Sequence, residues 1–174
     1  MGDGPMGVDA RNGAFLTGID PGRDKFGFAF ADENGCLLAS GIGRTKDAGL
    51  FFRLLRGGRF SDLSPLFLEG SADGLNVLRL PVICGAGTGH AVLDAAAKAE
   101  GIFVKLVPES GTTLRARSLY WTLHPPGGLW RVVPVSMRVP PRDVDDLAAW
   151  AIVKESMQRA AETPAGMGDA EHGS

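Results

Sequence analysis

The chain has 174 residues, 44% hydrophobic and 22% charged, with a formal net charge of −2. That length suits a single domain whose core is large enough to fold without staples, and the composition is that of an ordinary globular protein. The net charge argues against a surface coated in basic residues for non-specific nucleic-acid binding, but leaves room for a local basic patch.

No window holds the run of about 18 apolar residues needed to span a bilayer. Met1 to Gly7 has neither the basic start nor the apolar stretch of a signal peptide. The expectation is a cytoplasmic protein with no membrane partner. Cys36 and Cys84 belong to no Cys-x-x-Cys pair and read as two buried structural thiols. His90, His124 and His172 show no zinc-ligand spacing.

Residues 1–12 are Gly-rich and patternless, as expected of a flexible N-terminal arm. An apolar run, Ala14 to Ile19, then ends in Asp20 and a Pro21-Gly22 turn. A second run closes in Asp32-Glu33-Asn34-Gly35, and a third spans Cys36 to Ile42. Short apolar runs bounded by Gly, Pro and Asn-Gly predict a three-strand antiparallel meander. Asp20 stands at the end of its first strand, beside a glycine that leaves room for a ligand.

Ala48 to Arg56 predicts a short amphipathic helix ended by Gly57-Gly58. Around it, Arg44, Lys46, Arg53, Arg56 and Arg59 face one acid, Asp47. That cluster is either a solvated face or a patch for phosphates. Residues 60–79 give little pattern beyond a short strand at Leu66-Phe67-Leu68 and a loop at Gly70 to Gly74.

Leu80 to Cys84 predicts a strand, Gly85 to Gly89 a tight loop, residues 90–100 an Ala-rich helix, and Ile102 to Val107 the next strand. This is a βαβ unit with parallel strands. Thr112 or Thr113 caps a helix through Trp121, stopped by His124-Pro125-Pro126. Residues 129–139 read as extended. After Pro140-Pro141, Asp143 to Asp146 opens a final helix to about residue 161, with Leu147, Ala148, Ala151 and Ile152 on one face. Thr163 to Ser174 is a polar tail expected to be disordered. The folded domain is thus expected over residues 13–162, an α/β layer with helices on the sheet faces.

Three acids stand at element ends: Asp20, Glu109 and Asp145. Mg²⁺ favours oxygen ligands and keeps several waters, so a few carboxylates plus substrate phosphate suffice to hold it. Two such ions about 4 Å apart can activate water and stabilise the leaving oxygen in phosphodiester cleavage. Acids in a helix's first turn also favour its dipole, so Asp143, Asp145 and Asp146 have a capping alternative. Asp146 is expected to face solvent. Arg115 and Arg117 diverge by roughly 200° around their helix and cannot share one phosphate.

In three places the sequence resembles the YqgF (RuvX) family of RuvC-like, RNase H-like nucleases. Gly18 to Asp32 is similar to the first motif, an Asp-x-Gly turn carrying a metal-binding aspartate. Glu109-Ser110-Gly111-Thr112-Thr113, with Ala116 behind it, is similar to the second. Val144-Asp145-Asp146-Leu147-Ala148-Ala149 is similar to the third. The resemblance implies an RNase H-like α/β fold with a mixed five-stranded sheet, an antiparallel meander followed by parallel strands. It places catalytic and metal-binding roles on Asp20, Glu109 and Asp145, with Mg²⁺ or Mn²⁺ as cofactor. Lys25, Arg53, Arg56, Thr112 and Thr113 are the substrate-binding candidates. The implied activity is metal-dependent cleavage of structured RNA or branched DNA, either rRNA-precursor trimming or Holliday-junction-type resolution. A two-fold junction suits a homodimer, though no dimer surface is legible.

The second motif departs from the family pattern. Pro108 precedes Glu109 and Ser110 follows it, so an arginine that would contact phosphate is missing. At the first turn Asp24 stands where a basic residue is expected, between Arg23 and Lys25. Three other readings stay open. One is a catalytically inactive RNase H-like module that binds nucleic acid or protein. Another is a dinucleotide-binding loop at Gly85 to Gly89, with Glu109 as the ribose acid. The last is an actin-like ATPase, which would need a second domain.

Overall fold

A computed structural model describes residues 13–108, 112–134 and 137–162. The expected arm, the expected tail and Glu109-Ser110-Gly111 of the second motif lie outside the described residues.

The meander forms as its turn signals dictate. Strands β1 (Ala14–Pro21), β2 (Lys25–Ala31) and β3 (Leu37–Arg44) pair antiparallel in sequence order. The Asp32 carboxylate fixes the second turn by accepting from the backbone N–H groups of Asn34 (2.9 Å) and Cys36 (2.8 Å). Cys84 is buried as expected, but Cys36 is exposed. It belongs to that turn rather than to a strand face.

Helix α1 (Ala48–Arg56) follows, and then β4 (Phe67–Gly70), which pairs with the outer edge of β3. Two short parallel pairings then lie along β1: β5 (Val77–Leu78) against its start and β6 (Val82–Gly85) against its end. Helix α2 (His90–Ala99) leads to β7 (Val104–Val107), parallel to β6, which completes the expected βαβ unit. The sheet has seven strands and runs β4-β3-β2-β1-β6-β7, with β5 beside β1. The expected meander and parallel strands run from β3 to β7, and the short strand expected near Phe67 adds β4 at the other edge. Strand β5 is an unforeseen addition, so the sheet exceeds the five strands expected. Helices α3 (Thr112–Leu123) and α4 (Asp145–Glu162) close the chain.

Strand alternation sorts the side chains into two layers. Phe15, Ile19, Phe26, Phe28 and Phe30 point to one face and pack under α1 and α2 with Phe51, Phe52 and Leu93. Several of these rings meet edge-on, as Phe15 does with Phe60 at 5.0 Å between centroids, a geometry favoured by the ring quadrupole. The other face is lined by small residues, Ala29 and Ala31 among them, and carries α4 with α3 outside it. Small residues are required there because α4 lies very close to the sheet. A Cβ on Gly18 would come within 2.5 Å of Val153 Cγ2, and one on Gly27 within 2.6 Å of the Asp146 nitrogen.

One element departs from expectation. Gly128–Val132, within a segment that reads as extended, forms a 3₁₀ turn. Leu129 and Val132 are exposed there, and among the described residues the segment joins no strand. Among the described residues no helix is long and apolar enough to cross a membrane.

Candidate metal and nucleic-acid site

Asp20 and Asp145 reach the same face of the sheet at the same edge. Asp20 is the penultimate residue of β1 and the cross-strand partner of Gly27. By alternation it shares a face with Gly18, which lies under α4. Asp145 opens α4, and its backbone carbonyl occupies the space that a Cβ on Gly27 would need. The glycine beside Asp20 therefore admits the helix end that carries Asp145.

Lys25 offsets part of the negative charge at this corner. Its ammonium bonds Asp143 and lies 2.9 Å from Asp145 Oδ2. The hydrogen bond from Lys25 holds the Asp143 carboxyl below its ordinary value. Bonds to Asp143 and then Asp145 raise the lysine above its own. Asp145 Oδ2 is buried, and its contact with the Lys25 ammonium is an ion pair at hydrogen-bond distance but poorly aligned.

A divalent cation, which the resemblance implies, fits the described residues in kind. The donors are hard carboxylate oxygens. One of them is desolvated and only poorly aligned with the Lys25 cation beside it. The described residues alone contain no group of three His, Cys, Asp or Glu side chains placed to hold a metal. Glu109, the third expected ligand, lies outside them. Strand β7 runs parallel to β6, itself parallel to β1, so residue 107 is reached at the sheet edge where Asp20 stands.

Asp146 faces the protein, correcting the expectation that it faces solvent. It is fully buried. Its Oδ2 accepts a 2.7 Å hydrogen bond from the Ser40 hydroxyl, and Arg142 donates to Oδ1 at 2.8 Å. Arg142 also donates to Glu69 Oε1 at 2.6 Å, and His124 Nε2 lies 2.8 Å from the same oxygen. The Arg142 guanidinium covers the Tyr120 ring at 5.5 Å. This network ties the start of α4 to β3, β4 and the end of α3. Burial alone would raise the Glu69 carboxyl, but the bonds from His124 and Arg142 outweigh it and hold the group low. A sequence signal for Asp146 existed: it stands three, four and seven residues before the buried Ala149, Trp150 and Val153, on the inward stripe of α4.

The substrate-binding candidates separate. Thr113 lines a cavity of about 360 Å³ with Arg117, Arg142, Asp143 and Asp145. Thr112 is the first residue of α3. Arg53 and Arg56 belong to α1, in the layer opposite α4, and Arg53 pairs with Glu100 at 3.2 Å. On the other side of Lys25 lies an open cleft of about 940 Å³ that includes Arg23, Lys25, Arg44 and Lys46. The Gly85–Gly89 loop packs against the first turn, because a Cβ on Gly89 would come within 2.7 Å of the Gly22 carbonyl carbon. This explains that glycine without a dinucleotide.

No protein-family model matches the chain. No curated protein matches it either. Among solved structures, Thermus thermophilus RuvC is 12% identical, covering 84% of this chain and 95% of that one, with a TM-score of 0.41. T. thermophilus RuvC in complex with a Holliday junction substrate is 13% identical, covering 86% and 97%, with a TM-score of 0.42.

Proposed function

We propose that the protein is a metal-dependent phosphodiester hydrolase acting on structured nucleic acid, of the YqgF type that its motifs resemble. The observation that carries this reading is the shared corner of Asp20 and Asp145, which Gly27 makes sterically accessible. Asp20, Asp145 and Glu109 would hold one or two Mg²⁺ or Mn²⁺ ions. When bound, such ions lower the pKa of a water and stabilise the leaving oxygen. The chain's own residues supply the rest. Asp20 and Asp145 sit on the ends of regular elements, which fixes their separation. Thr113 and Arg117 line the neighbouring cavity, where a phosphate can be oriented. The resemblance supports both junction-type DNA and an rRNA precursor as substrates.

A second reading, a binding module without hydrolysis, is favoured by the Lys25 ammonium at Asp145 and Asp143, which already offsets part of the acidic charge. The test is cleavage of a four-way DNA junction and an rRNA-end substrate with Mg²⁺ or Mn²⁺. The hydrolase reading expects cleavage by the wild type and none by Asp20→Asn. Equal residual cleavage by both, or binding by both without cleavage, would establish the module instead.

A further inference from the structure

The cluster Arg44 to Arg59, continuous in sequence, is divided by the fold. Arg53 pairs with Glu100 and Arg59 with Asp62. Arg44 and Lys46 instead join Arg23 and Lys25 around the open cleft of about 940 Å³. Arg23, Arg44 and Lys46 are exposed, and none has an ion-pair partner among the described residues. Asp24 is the one acid in the lining.

This cleft is held rigidly. Lys25 and Arg44 are cross-strand partners. Thr45 clamps the first turn to the end of β3: its N–H donates to the Asp24 carbonyl and its hydroxyl to the Gly22 carbonyl, both at 3.0 Å. The backbone that carries four cations from two chain segments is therefore fixed, and only their exposed side chains are left to order on binding. The cleft is open to solvent, and four of its nine lining residues are cations. The cleft also meets the acidic corner, since Lys25 lines it and reaches Asp145.

The geometry points to this cleft as a site for the backbone phosphates of a nucleic-acid strand, with Arg23, Arg44 and Lys46 as the contacts and Lys25 marking its junction with the acidic corner. The inference rests on the reading of that corner as acting on nucleic acid. Its contacts go to phosphate, so they position a strand without reading its sequence.

The test is fluorescence anisotropy of a labelled four-way junction in EDTA, across a salt series, where hydrolysis cannot occur. The triple variant Arg23→Ala/Arg44→Ala/Lys46→Ala is compared with Arg59→Ala/Lys98→Ala/Arg159→Ala, which removes equal charge from cations paired elsewhere. Thermal melts establish that both are folded. The expected result is weaker binding and a salt slope shallower by about three for the cleft variant, about one per lost phosphate contact, with little change for the control. Equal losses in both variants would overturn the site in favour of diffuse attraction. Failure of the wild type to bind the junction, with tripolyphosphate raising the melting temperature of the wild type alone, would replace the strand with a small phosphorylated compound. No binding of either probe would remove the site altogether. Asp20→Asn, measured alongside, retains cleft-dependent binding in EDTA. If the wild type binds through the cleft yet never cleaves with metal, the hydrolase reading fails and the cleft stands.

Discussion

Gly27 of β2 and Asp145 of α4 meet backbone to side-chain space: the carbonyl of Asp145 fills the volume in which any Cβ at position 27 would lie. Gly27 is also the cross-strand partner of Asp20. Changing this one glycine therefore tests whether the helix end must sit on the strand. Gly27→Ala is expected to cost about 1–3 kcal/mol, the usual penalty of overpacking. Cleavage should fall more steeply than stability, because Asp145 moves with the helix. A urea titration gives the first quantity and a junction-cleavage assay the second.

Gly49 provides the opposite case. It lies inside α1, and a Cβ there would meet nothing within 4 Å. Gly49→Ala should stabilise the fold by about 0.4–1 kcal/mol by restricting the unfolded chain. Its denaturation midpoint should rise while cleavage stays at the wild-type level.

Ser40→Ala removes the buried hydroxyl that donates to Asp146. A hydrogen bond to a charged group contributes about 1.5–3 kcal/mol, and the loss should fall in that range. Arg142→Met should cost more, since it leaves Asp146 buried and charged without its cation. Urea denaturation at neutral pH measures both.

Glu69 predicts a pH dependence. Its carboxyl lies below the ordinary value of 4.5 because His124 and Arg142 bond it against the cost of burial. A depressed carboxyl contributes stability that is fully present above the unfolded value and is lost as pH falls through the folded one. Asp146 also faces Arg142, so the cation stays anchored when Glu69 is protonated. Glu69→Gln should therefore be less stable than wild type at pH 6, with the gap closing as pH falls below about 4.5. Denaturant midpoints across that range follow it.

Much of this architecture was legible in the chain. The meander, the βαβ unit and the terminal helix all carry local signals: Pro21-Gly22, Asn34-Gly35, the Gly85 to Gly89 loop and the Asp143 to Asp146 helix start. What escaped were relations between distant segments. Gly27 looks like any strand glycine until α4 is laid across it. Ser40 gives no sign that it will bond a carboxylate 106 residues away. The Arg44 to Arg59 cluster looks continuous because sequence distance hides the turn between β3 and α1, which sends its members to different surfaces. The 3₁₀ turn at Gly128–Val132 escaped because its apolar residues fit a strand locally, while among the described residues none of them joins the sheet.

Asp20 and Asp145 are proposed to bind divalent metal as one site. The most direct measurement is calorimetric titration of Mn²⁺ into the wild type, Asp20→Asn and Asp145→Asn, each checked for folding by its thermal melt. Saturable binding by the wild type is expected, abolished or severely weakened by either single substitution. Mn²⁺ binding of equal strength in all three proteins would contradict it.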